Sequence, residues 1–385
     1  MKVVHVVLRF DAPGGVETNV RELARRQHAA GDEVEVFASD LYDESRWERR
    51  SGYAPVVDGV PVRRFAVYRR LIPRFTLPLM VGLMDALADS GADVIHAHSH
   101  RYGHVLEAAA VAARCGIPLV VSTSYHPPDR REPARTRGIL RLVDVGFGMT
   151  AYRVARAVVV QSVLEARLVG EFSPADRLRI IPPGVDLDEW ARPAQDTVDG
   201  LDLPREYYLY IGRVAANKGL AHLLEAVAAL PGPERCPLVI MGSDWGERAR
   251  LVELARRLGI EESVRWLGHV PDRRVYRGVL RGARALVLPS EWEAYGFVLL
   301  EAMAAGAPIV ASSVGAVPEV LAGGRRGRLV AFGDPMALAA AMRSVLEDPV
   351  GTRERVEEGS RHVRGLDWSE SARRFRELYR EVVRG

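Results

Sequence analysis

Glu293 and Glu301 lie in the segment PSEWEAYGFVLLEAMAAGAPIV, residues 289–310, with the spacing Glu-x7-Glu. A strand-like run precedes the segment, Gly296 marks a turn, and Phe297, Val298, Leu299, Leu300, Ala302 and Met303 read as a buried helix. The first amides of such a helix carry partial positive charge and lack intrahelical partners, which suits phosphate oxygens. Carboxylates beside an anion site do not bind the anion; when ionised they accept hydrogen bonds from hydroxyl groups. A second segment, YYLYIGRVAANKGLAHLLEAV, repeats the order strand, glycine turn, helix, with Arg213 at the strand end and Lys218 at the helix entry. A planar guanidinium fork and a compact ammonium can together neutralise a diphosphate. Of the 53 basic residues only Lys2 and Lys218 are lysines, so Lys218 marks a place where guanidinium does not serve. By spacing alone, these four side chains also fit solvated loop and helix-surface charges.

The N-terminal half supplies a turn, DAPGGVETN, in which Gly14 and Gly15 let backbone approach a ligand closely and Glu17 opens a helix. It is not a GxGxxG dinucleotide fingerprint. Histidines cluster in HAHSHRYGH as His96, His98, His100 and His104, and His126 follows a strand in VVSTSYHPP. His98 and His100 would share one face of a strand, but no fourth ligand or cysteine joins them, so no metal site is expected. His126 reads as a polar residue of a ligand cleft or as a cap on the following loop. Two arginine-rich stretches complete the inventory. VRRFAVYRRLIPRFTLPLM carries Arg63, Arg64, Arg69, Arg70 and Arg74, and DRREPARTRGILR carries Arg130, Arg131, Arg135, Arg137 and Arg141. Ordinary solvated surface accounts for both; so does contact with anionic lipid headgroups or with a phosphorylated or lipid-linked acceptor.

These residues need a scaffold, and the chain supplies an α/β one. Short β-branched runs alternate with amphipathic segments throughout, the pattern of βαβ units and parallel sheets. Strands are expected at 3–8, 33–37, 62–67, 94–97, 119–123, 157–161 and 178–181, then at 207–212, 238–241, 264–267, 285–288 and 308–311. The polar stretch 186–206 separates the two sets, so the linker is placed there, giving domains 1–187 and 188–365. A terminal helix in 366–385, with Ser369 as its cap and Ala372, Phe375, Leu378 and Val382 on one face, is expected to return to the first domain. Two doubly wound sheets of this kind would face a cleft, with ligands at the carboxyl ends of their strands.

Composition narrows the function classes. A net charge of +3 over 385 residues is too balanced for a protein that coats nucleic acid. Two cysteines without a CxxC argue against a disulfide framework and fit a reducing cytoplasm. The N-terminus lacks a cleavage signal, and no apolar run is long enough to span a bilayer, so neither secretion nor membrane spanning is expected.

The motifs GGVE, DVIHAHS, the strand ending at His126, IIPPGVD, GRVAANKG and EAYGFVLLEAMAAGAPIVAS together resemble the retaining nucleotide-sugar glycosyltransferases of family 4, which have the GT-B architecture of two Rossmann-like domains. The resemblance runs from about residue 3 to the terminal helix. It implies that Arg213 and Lys218 bind the donor diphosphate and stabilise the leaving group. It implies that Glu293 lies near the transferred sugar, Glu301 holds the ribose hydroxyls, and the amides of Phe297 and Val298 meet phosphate oxygens. Gly15 would close on the same diphosphate, and His126 would lie over the sugar. His269 and Val270, in GHVPDRR, would read the base beside Gly242 of MGSDWGE, where a glycine pair is common. Pro183 stands where many relatives carry Asn. The implied reaction moves a hexosyl group, glucosyl or mannosyl, to a lipid-linked, phosphorylated or saccharide acceptor without a metal or other cofactor. A sugar-nucleotide 2-epimerase shares this architecture and is the alternative, as is a non-catalytic nucleotide-binding protein.

Overall fold

The computed structural model describes residues 1–11, 14–43, 47–72, 75–128, 132–192, 198, 200–232 and 236–385. The chain divides into two compact units, Met1–Pro183 with Trp368–Gly385, and Gly184–Asp367. The division falls before the stretch expected as linker because α6 (Leu187–Ala191), capped by Asp186, buries Trp190 in the core of the second unit.

Unit 1 contains β1 (Lys2–Val7), β2 (Glu33–Ser39), β3 (Leu41–Asp43), β4 (Glu48–Arg49), β5 (Val56–Val57), β6 (Val60–Phe65), β7 (Val67–Ile72), β8 (Phe75–Met80), β9 (Val94–His98), β10 (Leu119–Ser122), β11 (Ala157–Val160) and β12 (Leu178–Ile180). Its main sheet has the order β12-β11-β10-β9-β1-β2-β6-β5. All pairs in it are parallel except β5, which runs antiparallel to β6 at the edge. The helices are α1 (Gly15–Ala29), α2 (Leu83–Ala88), α3 (Gly103–Cys115), α4 (Ala134–Phe147), α5 (Val163–Val169) and, from the far end of the chain, α14 (Trp368–Arg384). Runs such as LVVS in β10 and AVVV in β11 are buried at every position, as parallel strands covered on both faces must be.

Unit 2 contains β13 (Tyr208–Ile211), β14 (Leu238–Met241), β15 (Val264–Gly268), β16 (Ala285–Leu288), β17 (Ile309–Ser312) and β18 (Arg328–Val330), in the order β15-β14-β13-β16-β17-β18. This is the doubly wound 3-2-1-4-5-6 order. Its remaining helices are α7 (Leu220–Ala229), α8 (Arg248–Arg257), α9 (Arg273–Arg281), α10 (Phe297–Ala305), α11 (Val317–Val320), α12 (Pro335–Glu347) and α13 (Pro349–Val363).

Every strand expected from the alternation is present. The run 62–67, read as one strand, is broken: the Val67 amide donates to Asp40 Oδ1 at 3.0 Å and starts β7, which pairs antiparallel with β8. Ser369 lies inside the first turn of α14 rather than capping it, since the helix begins at Trp368. The apolar face of α14 joins Ala372, Phe375, Leu378, Tyr379 and Val382 to Val3, Val94, Val120 and Val159 of the unit 1 sheet.

A buried polar network fixes that docking. Gln27 Oε1 accepts from His5 Nε2 at 2.8 Å, which leaves His5 Nδ1 to accept from His98 Nε2 at 3.0 Å. Gln27 Nε2 donates to the Tyr379 hydroxyl, Tyr379 donates to His96 Nδ1 at 2.6 Å, and His96 Nε2 donates to Ser122 Oγ at 2.8 Å. His104 Nε2 donates to the His98 carbonyl. Every ring in this chain of bonds is neutral, and burial lowers all four histidine pKa values, to about 4 for His5 and His104.

Unfolding returns these histidines to their ordinary value of 6.5, so below that pH the unfolded chain binds protons that the folded chain refuses. Stability is therefore expected to be full above pH 6.5 and to fall as the pH drops toward 4, by about 1.4 kcal/mol per pH unit for each histidine kept neutral. Urea midpoints measured across this range check it. A flat profile would show that the rings are protonated in the native state.

Candidate active site

In an open parallel sheet the ligand crevice forms where the strand order reverses, outside the carboxyl ends of the two strands concerned. In unit 2 those strands are β13 and β16. Arg213 follows β13 and Glu293 follows β16, so the two segments singled out by their chemistry leave the sheet side by side.

Gly219 sets how closely they pack. Its φ is 66°, and a Cβ at this position would lie 1.9 Å from the Pro289 carbonyl oxygen. The Glu291 amide donates to the Asn217 carbonyl at 3.0 Å, tying the two loops together. On this seam Lys218 Nζ donates to Glu293 Oε1 at 2.6 Å, and Ser290 Oγ donates to the same oxygen at 2.7 Å. The Lys218 and Glu293 side chains are only 12% and 14% exposed, so their charges depend on each other more than a surface pair would. Glu293 is also braced from β17. Gly315, at φ 52°, would place a Cβ 2.0 Å from the Glu293 carbonyl oxygen, which accepts from the Ala316 amide at 3.0 Å.

The Arg213 guanidinium lies over the Trp245 ring, 4.5 Å from its centroid, and Tyr210 OH donates to the Arg213 carbonyl at 2.8 Å. Trp245 belongs to the loop opened by Gly242, whose amide donates to Gly268 at the end of β15. His269 and Val270 come next; His269 is exposed and Val270 packs on the unit 2 core.

Helix α10 starts at Phe297 behind Gly296, an N-cap residue with no side chain of its own to cap the first turn. Val298 follows, and Glu301 sits one turn further along. Sequence spacing pairs Glu301 with Glu293 but names no partner that orients it. The fold surrounds it: Arg273 donates twice to Glu301 Oε1 at 3.1 Å, and Tyr276 OH donates to Oε2. Arg273 also grips Glu189 in a fork at 2.8 and 2.9 Å, and Arg277 reaches the same carboxylate at 3.1 Å. Burial opposes the Arg273 charge, but the bond to Glu189 and the nearby Glu301 outweigh it and raise its pKa. Burial, then the Glu301 charge, raises that of Tyr276, so its hydroxyl stays protonated and keeps donating. Glu189 and Tyr276 carry no signal in the sequence, because Tyr276 reaches Glu301 from α9 and Glu189 reaches Arg273 from α6. Arg273 had one: it is the first residue of α9, directly after the capping Asp272.

In unit 1, Gly15 is the first residue of α1, and Glu17 pairs with Arg9 at 2.7 Å. His126 is exposed beyond β10, its Nδ1 donating to the Pro127 carbonyl. Ser99, Arg101 and Ser124, just beyond β9 and β10, adopt φ of 86°, 62° and 44°, a costly conformation for residues with side chains. The turn at Ser99 ends β9 at His98, so His98 and His100 do not share a face. His98 bonds His5, whereas His100 bonds Tyr152 and Asp144. Asp144 also accepts from Arg101 and Tyr125; burial opposes its charge, but Arg101 and His100 hold its pKa down at about 2. Among the described residues one group of three metal-ligand types converges, His5, His96 and His98, and its nitrogens serve the network described above.

Among the described residues, two arginines of the first stretch pack against groups of their own unit. Arg64 turns inward to Asp11 and lies 4.3 Å over the Tyr53 ring, while Arg63 lies over Phe37 and Phe65. Arg69 and Arg70 belong to β7. Arg74, Arg130 and Arg131 lie outside the described residues.

Comparison with known proteins gives the family and the fold. The model of Glycosyltransferase Family 4 matches residues 13–189, and that of Glycosyl transferases group 1 matches residues 192–363. The D-inositol 3-phosphate glycosyltransferase of Frankia alni is 31% identical over 96% of this chain and 95% of its own length. The chain belongs to the family 4 glycosyltransferases. The enzyme of the same name from Streptomyces avermitilis is 30% identical over 95% of this family 4 glycosyltransferase and 82% of its own length. Among solved structures, sucrose-phosphate synthase from Thermosynechococcus elongatus matches with a TM-score of 0.77 at 24% identity, covering 99% and 98% of the two chains. Anabaena HepE in complex with UDP-glucose matches with a TM-score of 0.78 at 19% identity, covering 99% and 100%. The fold is GT-B.

In this family 4 glycosyltransferase Gly219→Ala meets both a left-handed backbone and the Pro289 carbonyl, so the Lys218 turn must move away from Glu293. Turnover is expected to fall by at least roughly ten-fold, the scale on which small misplacements of reacting groups act. Gly232→Ala, where nothing lies within 4 Å of the added carbon, is the control and should behave as wild type. Equal activity of the two variants would show that the seam does not position the site.

Proposed function

We propose that this glycosyltransferase moves a hexosyl group, glucosyl or mannosyl, from a nucleotide-diphosphate sugar to a hydroxyl of a phosphorylated, saccharide or lipid-linked acceptor, with retention of anomeric configuration and without a metal. The observation that carries the reading is the desolvated Lys218–Glu293 pair at the switch point of unit 2, on the same strand ends as Arg213 and the start of α10 behind Gly296. The names of the relatives favour a phosphorylated acceptor, and the HepE complex favours a uridine donor with glucose. Cys115 and Cys236 are free thiols, which agrees with a cytoplasmic enzyme.

The chemistry follows from charge. As the bond from the sugar to the diphosphate breaks, negative charge grows on the departing phosphate, and Arg213, Lys218 and the amides of Phe297 and Val298 offset it. These groups supply the positive charge that a divalent metal supplies elsewhere. Glu293 orients the Lys218 ammonium through one oxygen and offers the other to a sugar hydroxyl. Glu301, oriented by Arg273 and Tyr276, accepts from the ribose hydroxyls. His269 and Val270 border the base. Retention requires the acceptor oxygen to end on the face from which the diphosphate leaves.

Lys218→Ala should lower turnover by roughly 10²- to 10³-fold at saturating donor, and Lys218→Arg should lower it less but measurably, since a broad fork cannot replace a compact ammonium. Wild-type turnover in the alanine variant would remove Lys218 from the site. Glu301→Ala should chiefly raise the donor KM and Glu293→Gln chiefly lower kcat; equal small effects would overturn the division of roles. The starting experiment is a panel of UDP-, GDP- and ADP-sugars scored by thermal stabilisation and slow hydrolysis, with the product anomer read by NMR. An inverted product rejects retention, and donor consumption with C2 inversion and no transfer rejects the transferase reading in favour of an epimerase.

A further inference from the structure

We infer that α4 is a docking element for an anionic lipid surface. The helix is anchored on one side only. Asp144 and Phe147 are buried, and Tyr152, in the π-helical turn that follows at Gly148–Tyr152, is bonded to His100. The opposite side carries Ile139, Leu142, Val143, Val145 and Met149, all exposed, with Leu142 at 73% and Met149 at 52%. Ile139, Leu142 and Val143 follow the i, i+3, i+4 spacing of a single helix face, and Met149 lies in the π-helical turn that continues α4. Five large apolar side chains on one short stretch make a contiguous surface of the kind monomeric proteins do not leave to water without a use.

The charges around the stripe select the occupant. Arg135 precedes it, Arg153 follows it and Arg141 runs along its flank; all three are exposed, and Arg141 makes an exposed pair with Glu171 at 3.3 Å. The single acid within α4, Asp144, faces inward to Arg101, His100 and Tyr125. The outward face is thus apolar in the middle and cationic at its margins, the pattern of helices that lie in a membrane interface. A second copy of this chain docked face to face would bring the same arginines against one another, whereas an anionic headgroup layer neutralises them. Among the described residues no helix is long and apolar enough to cross a membrane, so the contact is a surface one. The inference does not depend on the donor chemistry.

Flotation of the full chain with vesicles tests it. Phosphatidylcholine vesicles containing phosphatidylglycerol should carry the protein, vesicles of phosphatidylcholine alone should not, and binding should weaken as salt rises from about 0.1 M to about 0.5 M. Leu142→Asp combined with Met149→Asp should weaken binding by roughly ten-fold or more, because two charged groups replace the most exposed apolar anchors. Arg135→Gln combined with Arg141→Gln should lower binding and flatten the salt dependence. Thermal melts check that both variants fold. Absence of binding to either vesicle, or binding that both variants retain, overturns the inference. So does a concentration-dependent dimer of the wild type, seen by light scattering without vesicles, that the Leu142/Met149 variant abolishes.

Discussion

The candidate site depends on one close approach between two loops. At the switch point of the unit 2 sheet, the turn after β13 and the loop after β16 pack so tightly that no side chain fits at Gly219, and the turn after β17 presses on the same loop so that none fits at Gly315. That contact removes water from around Lys218 and Glu293 and leaves each as the other's main counter-charge. An ammonium held this way is oriented before any ligand arrives, which is the condition under which a fixed charge acts strongly on charge that develops during reaction. The sheet order decides where this happens, because only between β13 and β16 do neighbouring strands send their connections to opposite sides.

Around the second carboxylate the fold applies the same means with other residues. Glu301 lies on α10, but its orientation comes from Arg273 and Tyr276 of α9, and Arg273 is in turn aligned by Glu189 of α6. A carboxylate in such an array keeps its direction. In unit 1 the polar groups are structural in the sheet and strained at its edge. The histidines of β1 and β9 join α1 and α14 through hydrogen bonds that require every ring to be neutral. Just beyond β9 and β10 the backbone turns through left-handed conformations at Ser99, Arg101 and Ser124.

The α/β class, most strands of the two parallel sheets and the family were legible in the sequence alone, and Glu293, Glu301, Arg213 and Lys218 were singled out there by residue type and spacing; the strand at 328–330 and the pairing of β7 with β8 were not. Parallel strands must be apolar on both faces, and strand-turn-helix segments announce themselves through periodicity and glycine; both are local properties of the chain. Only the tertiary structure decided which groups meet. Glu189, Tyr276, Ser290 and Gly315 carry no local mark, since their roles arise from residues distant in sequence converging on a sheet edge. The separation of His98 from His100 turns on one left-handed residue, and the inward turn of Arg64 turns on Asp11 and Tyr53. The outward apolar face of α4 was equally hidden. Its spacing is that of a core-facing helix, and whether such a face is covered depends on what packs against it, which no local pattern encodes.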